Sequence, residues 1–155
     1  MATTDGAAII ARALKNEGVD TLFFLFGSPI PPILRSCEAV GIRCVSVRHE
    51  QAAAMMAHGY TRVTGKPGIC VTASGPGTAN AVTGVANALV DCCPVIILGG
   101  ASPMAQFGMG GFQELDQLAM MKPVTKWADR VLEVKRIPEL ISTAFRQATT
   151  GKPGP

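Results

Sequence analysis

Charge is scarce in this sequence, and aromatic rings scarcer. Charged residues make up 16% of the chain and aromatics 5%, with one tryptophan and one tyrosine. Fourteen Lys and Arg stand against 11 Asp and Glu, a net charge of +3, and the basic residues are scattered rather than clustered. A nucleic-acid groove needs a basic track and aromatic stacking platforms, so nucleic acid is excluded as the expected partner. No apolar run approaches the ~20 residues of a membrane span, and residues 1–6 lack a basic, apolar leader. The expectation is therefore no membrane and a cytoplasmic setting. Five cysteines (Cys37, Cys44, Cys70, Cys92, Cys93) show no Cys-x-x-Cys spacing, and His49 and His58 are the only histidines. No zinc pattern assembles from that set, so the expectation is reduced thiols and no metal site on this chain. The P-loop, the dinucleotide fingerprint and the Gly-x-Ser-x-Gly elbow are absent too, which disfavours a nicotinamide-binding domain and a serine hydrolase.

Hydrophobic residues, at 48% of 155 positions, are ample for one domain over residues 1–155. Helical and extended patterns alternate along it. Ala7, Ile10, Ala11 and Leu14 mark an amphipathic helix with Asp5 as its cap and Gly18 as its stop. Strands are expected at residues 21–26, 42–47, 69–73, 94–98 and 124–131, and further helices at 31–40, 50–63, 77–91 and 138–149. Strands this apolar, separated by helices, predict an α/β fold: a doubly wound, mostly parallel sheet with helices on both faces. Gly65-Lys66-Pro67-Gly68 leads from a helix into a strand, and the same four residue types recur at Gly151-Lys152-Pro153-Gly154, just before Pro155. That parallel predicts a further strand, so the chain reads as a segment of a longer polypeptide or one half of a split one.

In such sheets ligands gather beyond the carboxyl ends of the strands. Glu50 arrives there directly after a strand, in the first turn of a helix containing Ala52, Ala53, Ala54, Ala57 and Gly59. Its position alone fits a carboxylate favoured by the helix dipole. The small, apolar helix behind it equally fits a poorly solvated group able to exchange a proton. Ser74-Gly75-Pro76-Gly77 is either a bare strand-to-helix turn or one that lets another group approach its backbone. Gln113, after Gly108, Gly110 and Gly111, is either a surface residue or a neutral group that orients a substrate oxygen.

Taken in order, these residues resemble the N-terminal domain of the thiamine-diphosphate enzymes that include acetolactate synthase, benzaldehyde lyase, oxalyl-CoA decarboxylase and 2-hydroxyacyl-CoA lyase. The resemblance runs through Gly27-x-Pro29, Arg48-His49-Glu50-Gln51-Ala52-Ala53 and Gly59-Tyr60-x-Arg62-x-x-Gly65-x-Pro67-Gly68. It continues through Ser74-Gly75-Pro76-Gly77-x-x-Asn80, Phe112-Gln113-Glu114-x-Asp116 and Pro123-x-Thr125-Lys126. It implies a lyase, carboligase or decarboxylase acting on 2-keto acids, 2-hydroxy ketones or 2-hydroxyacyl-CoA. Glu50 would hydrogen-bond the aminopyrimidine ring nitrogen N1′ of thiamine diphosphate, favour the 4′-imino tautomer and so lead to loss of the C2 proton. Pro29, Ser74, Gly75 and Pro76 would line the cofactor pocket with Asn80 in support, and Gln113 would face the substrate. Ile30, where acetolactate synthases carry a second glycine, leans toward the CoA-thioester branch; Lys126-Trp127-Ala128 leans toward benzaldehyde lyase.

The resemblance also implies parts that this sequence lacks. The Gly-Asp-Gly…Asn signature that holds Mg²⁺ and the diphosphate is missing. Partners would be a diphosphate-binding domain, of the same enzyme or of a neighbouring subunit, within a homodimer or homotetramer. The family sheet would place a sixth strand, absent here, between the fourth and fifth, leaving two edges to be completed by further chain or a partner. The alternative function is a non-catalytic domain of the same fold that binds a nucleotide or a partner subunit.

Overall fold

The computed structural model describes residues 5–155. Helix α1 (Gly6–Asn16) is capped by Asp5, whose Oδ1 accepts the Ala8 N–H at 2.8 Å, and it buries Ala11 and Leu14. Strand β1 (Thr21–Phe24), helix α2 (Pro31–Ala39), strand β2 (Arg43–Ser46) and helix α3 (Glu50–Thr64) follow. Then come strand β3 (Gly68–Thr72), helix α4 (Pro76–Val90) and strand β4 (Val95–Gly99). The four strands are parallel, in the order β2-β1-β3-β4. Beyond β4 lie short 3₁₀ turns, helix α5 (Gln117–Met121) and helix α6 (Ile137–Thr149).

Side chains in a strand point alternately to opposite faces, and β3 divides its residues accordingly. Ile69 and Val71 join Leu14, Leu22, Leu34 and Ile141 in a core beneath α1, α2 and α6. Cys70 joins Ala53, Ala57, Ala81, Val85 and Met121 in a second core beneath α3, α4 and α5. Every residue of β3 is buried, as expected of a central parallel strand covered on both sides. Full burial of side chains such as Ile69 or Val71 contributes roughly 1.5–3 kcal/mol each.

The expected strand at 124–131 does not form. Lys122–Val124 is a 3₁₀ turn, and residues 125–133 run without a ladder partner. An apolar pattern reports burial, whereas a strand also requires a neighbour to take its backbone hydrogen bonds. Between this stretch and the outer edge of β4 lies a cavity of about 390 Å³, bounded by residues such as Ile97, Trp127, Val131, Ala144 and Pro155. The backbone reaches one end of it: the Pro155 carbonyl accepts the Lys126 N–H at 2.8 Å, and the Gly154 N–H donates to Ala148 O at 3.0 Å. No helix among the described residues is long and apolar enough to cross a membrane.

Candidate functional site

Three turns converge beyond the carboxyl ends of the strands. Gly27-Ser28-Pro29 follows β1, Arg48-His49 leads from β2 into α3, and Ser74-Gly75 leads from β3 into α4. Glu50 is the first residue of α3, whose cap is His49, with Nδ1 accepting the Gln51 N–H at 3.2 Å. The Glu50 side chain is almost fully buried, at 6% exposure. Burial disfavours a bare carboxylate, so its polar contacts decide what it can do.

Those contacts are few. Asn80 Nδ2 donates to Glu50 Oε2 at 2.9 Å. Oε1 lies over Gly77, where an added Cβ would stand 3.1 Å from it. No described residue donates to Oε1, although that oxygen is not sealed from its surroundings. The pairing follows from helix register. Gly84 packs against Ala54, and a Cβ at Gly84 would come within 2.6 Å of the Ala54 Cβ and 3.1 Å of the Gln51 carbonyl. Asn80 and Glu50 each sit one helical turn before that contact, so the close approach of the helices brings the amide to the carboxylate.

The second half of the site is built around Ser74. Its N–H donates to Ser28 O at 3.1 Å, and its hydroxyl donates to Gln113 Oε1 at 3.1 Å. Gln113 has a left-handed backbone (φ +57), a conformation sparsely populated for residues with side chains. Gly75 permits this arrangement: it too has positive φ (+53), and a Cβ there would lie 2.0 Å from the Gln113 carbonyl oxygen. With Oε1 engaged by Ser74, the Gln113 amide N–H groups remain uncommitted to any described residue. Pro29 is exposed beside Gly100, where a Cβ would stand 2.5 Å from the proline ring. Pro76 is exposed at the start of α4.

Of the expected residues, the structure therefore joins Glu50 with Asn80, and Gln113 with Ser74 and Gly75. Pro76 and Gly77, in one turn, connect the two groups. Asn80 is tied to Glu50, a more specific role than the pocket support expected of it. Gly100 and Gln117 were not singled out by the sequence. Gln117 Nε2 donates to Gly100 O at 2.9 Å and so holds the turn after β4. For Gly100 the signal was the Gly99-Gly100 pair that ends β4; for Gln117 there was none. Cys70 lies beneath the site with its thiol pushed up to about 12, first by burial and then by the nearby Glu50 charge, so it is packing rather than a nucleophile. Among the described residues no three His, Cys, Asp or Glu side chains gather as a metal site.

A buried carboxylate with one satisfied oxygen and one open oxygen fits a group that brings its own N–H or ring nitrogen. The family described as thiamine pyrophosphate enzyme, N-terminal TPP binding domain, matches residues 4–120. Mouse 2-hydroxyacyl-CoA lyase 1 is 39% identical over 149 residues, covering 96% of this chain and 26% of that protein. The probable acetolactate synthase large subunit of Methanocaldococcus jannaschii is 42% identical over 150 residues, covering 97% and 25%. The acetolactate synthase isozyme 2 large subunit of Escherichia coli is 39% identical over 151 residues, covering 97% and 28%. The chain thus spans about a quarter of the length of these curated relatives. It belongs to the thiamine pyrophosphate enzymes and carries their N-terminal, cofactor-binding domain.

Proposed function

We propose that the chain is the cofactor-activating part of a lyase, carboligase or decarboxylase acting on a 2-keto acid, a 2-hydroxy ketone or a 2-hydroxyacyl-CoA. The observation that carries this reading is the Glu50 carboxylate, buried beyond β2 with Oε1 open. Thiamine diphosphate, when bound, supplies an electron sink for breaking or forming a carbon–carbon bond. Glu50 would hold the aminopyrimidine ring nitrogen N1′ and exchange a proton with it, which is general acid–base work in a poorly hydrated place. Ser74, Gly75, Pro76 and Pro29 would form the wall on that side. The free amide N–H groups of Gln113 would orient a substrate oxygen, since a neutral donor steers without adding charge.

The diphosphate and its Mg²⁺ we assign to a second domain, of the same enzyme or of a neighbouring subunit. A homodimer or homotetramer is the proposed assembly. Its support is the apolar surface on the two helices behind the site, where Met55 and Met56 are 41% exposed, Val63 87% and Val90 77%. The groove beside β4 has a matching role: chain continuing past Pro155 would lay a strand between β4 and residues 125–131. The Lys126–Pro155 backbone bond supports that reading. A cytoplasmic setting is proposed on the strength of five free thiols, with Cys37 and Cys70 buried in the two cores.

The test is Glu50→Gln in the complete enzyme loaded with thiamine diphosphate and Mg²⁺. Exchange of the cofactor C2 proton should slow by about 10²–10⁴-fold, the range expected for loss of one acid–base group. Cofactor binding and thermal stability should persist. Unchanged exchange would remove Glu50 from the mechanism.

A further inference from the structure

A carboxyl group has two oxygens, and its proton can sit on either. Only one of them can serve a ring nitrogen approaching from a fixed direction. In this protein the two oxygens are not equivalent: Oε2 takes the Asn80 N–H at 2.9 Å, while Oε1 has no described donor and lies over Gly77. From this asymmetry, and resting on the function proposed above, we infer that Asn80 is a positioning residue that selects the oxygen of Glu50 which carries the exchangeable proton. An amide N–H can only donate, so the Asn80 bond occupies a lone pair of Oε2 and leaves Oε1 as the oxygen with its lone pairs free. The proton is thereby directed to Oε1. As it leaves Oε1, negative charge grows on the carboxylate, and the Asn80 N–H is already in place to receive it at Oε2. Such charge-assisted bonds are stronger than neutral ones, so the contact holds the carboxylate in one orientation.

Helix packing keeps Asn80 in this role. The Ala54–Gly84 contact one turn away fixes the spacing of α3 and α4, and Gly77 keeps the floor beneath Oε1 free of a side chain. Asn80 is itself exposed, so its contribution to the core is small and its effect on the carboxylate can be separated from folding.

The experiment is a double-mutant cycle in the complete enzyme, with three readouts: C2-proton exchange of bound thiamine diphosphate, cofactor affinity by calorimetry, and melting temperature. Asn80→Ala should slow exchange by about 10–100-fold, as expected for losing a hydrogen bond to a charged group. Cofactor affinity should stay within about threefold and the melting temperature within about 2 °C, because the wall of the site and the core are untouched. Asn80→Asp keeps the shape and loses the donor, so it should be at least as slow as Asn80→Ala. In a Glu50→Gln background, Asn80→Ala should add less than about a twofold loss, since residues acting through one group are not additive. Normal exchange in Asn80→Asp, or a full additional loss in the Glu50→Gln background, would overturn the inference while leaving the role of Glu50 intact. Unchanged exchange in Glu50→Gln alone would instead overturn the reading on which it rests.

Discussion

At the amino ends of the strands, Asp20 takes the Tyr60 hydroxyl at 2.6 Å and an ion pair from Lys66 at 2.6 Å. Thr61 Oγ1, nearby, donates toward Ala57 O and Pro94 O and accepts the Gly68 N–H at 2.8 Å. At the carboxyl ends, Glu50 has one donor for two oxygens, and Gln113 is held in a left-handed conformation by Ser74 and Gly75. At the first end Asp20 and Thr61 close on their neighbours; at the other, Glu50 and Gln113 are left partly open, with Gln113 strained. Both ends belong to the same sheet, so the contrast does not come from fold. Complete internal pairing serves stability, whereas an open valence and stored strain are kept where something else must bind.

The contrast can be broken from either end. The largest effect should come from Gly68→Ala, because a Cβ there would lie 2.0 Å from the Ala57 carbonyl oxygen and 2.9 Å from Thr61 Oγ1. Pushing α3 off β3 should cost at least about 3 kcal/mol, read by urea unfolding. An unchanged midpoint would mean that the amino end is not a structural clamp. Gly75→Ala should divide differently. The added methyl displaces Gln113, so kcat/KM should fall by about 10–100-fold, as misplacement of a positioning group does, while unfolding shifts by no more than about 2 kcal/mol. An equal effect on both measurements would blur the distinction between the ends. Tyr60→Phe should cost about 1 kcal/mol and leave turnover unchanged, since it deletes one hydrogen bond far from Glu50.

The smallest effect concerns pH. The bonds from Lys66 and then Tyr60 hold the Asp20 carboxyl at about 2, below its ordinary 3.8. A depressed carboxyl stabilises the fold above its unfolded value and loses that contribution as pH falls. Asp20→Asn should therefore flatten the stability profile between about pH 4 and pH 2. Because the Asp20 side chain is 47% exposed, the difference should stay within about 1 kcal/mol. A variant with the same acid profile as the parent would show that the Lys66 pair contributes nothing.

Much of this is legible in the amino-acid sequence. The alternation of apolar strands and helices predicted the parallel sheet, and each of the first four strands lies within a couple of residues of its expected place. Glu50 was visible because it follows a strand directly and opens a helix whose first turns, through Ala52, Ala53, Ala54 and Ala57, are small and apolar. The strand expected at 124–131 was misread, because Val124, Trp127 and Val131 announce an apolar environment and say nothing of a partner for the backbone. The left-handed Gln113 was hidden for the opposite reason: nothing in a glutamine advertises positive φ, and only its fit against Gly75 reveals it. The Glu50–Asn80 pair lies between these cases. Both residues stood out, but their contact depends on the register of two helices 30 positions apart, which the Ala54–Gly84 packing sets.

Residues 101–116 carry their own anchor. Glu114 accepts the Gly108 N–H at 2.6 Å and the Gly111 N–H at 3.0 Å, and these two bonds hold its carboxyl below the usual range. Met104, Phe107, Met109 and Phe112 stand exposed around that anchor. The segment that displays Gln113 can thus vary in its outward side chains without disturbing the α3–α4 pair that holds Asn80 against Glu50. Under the proposed function, a scaffold divided this way would let selection, or an engineer, trade one reactant for another while the activating step stays as it is.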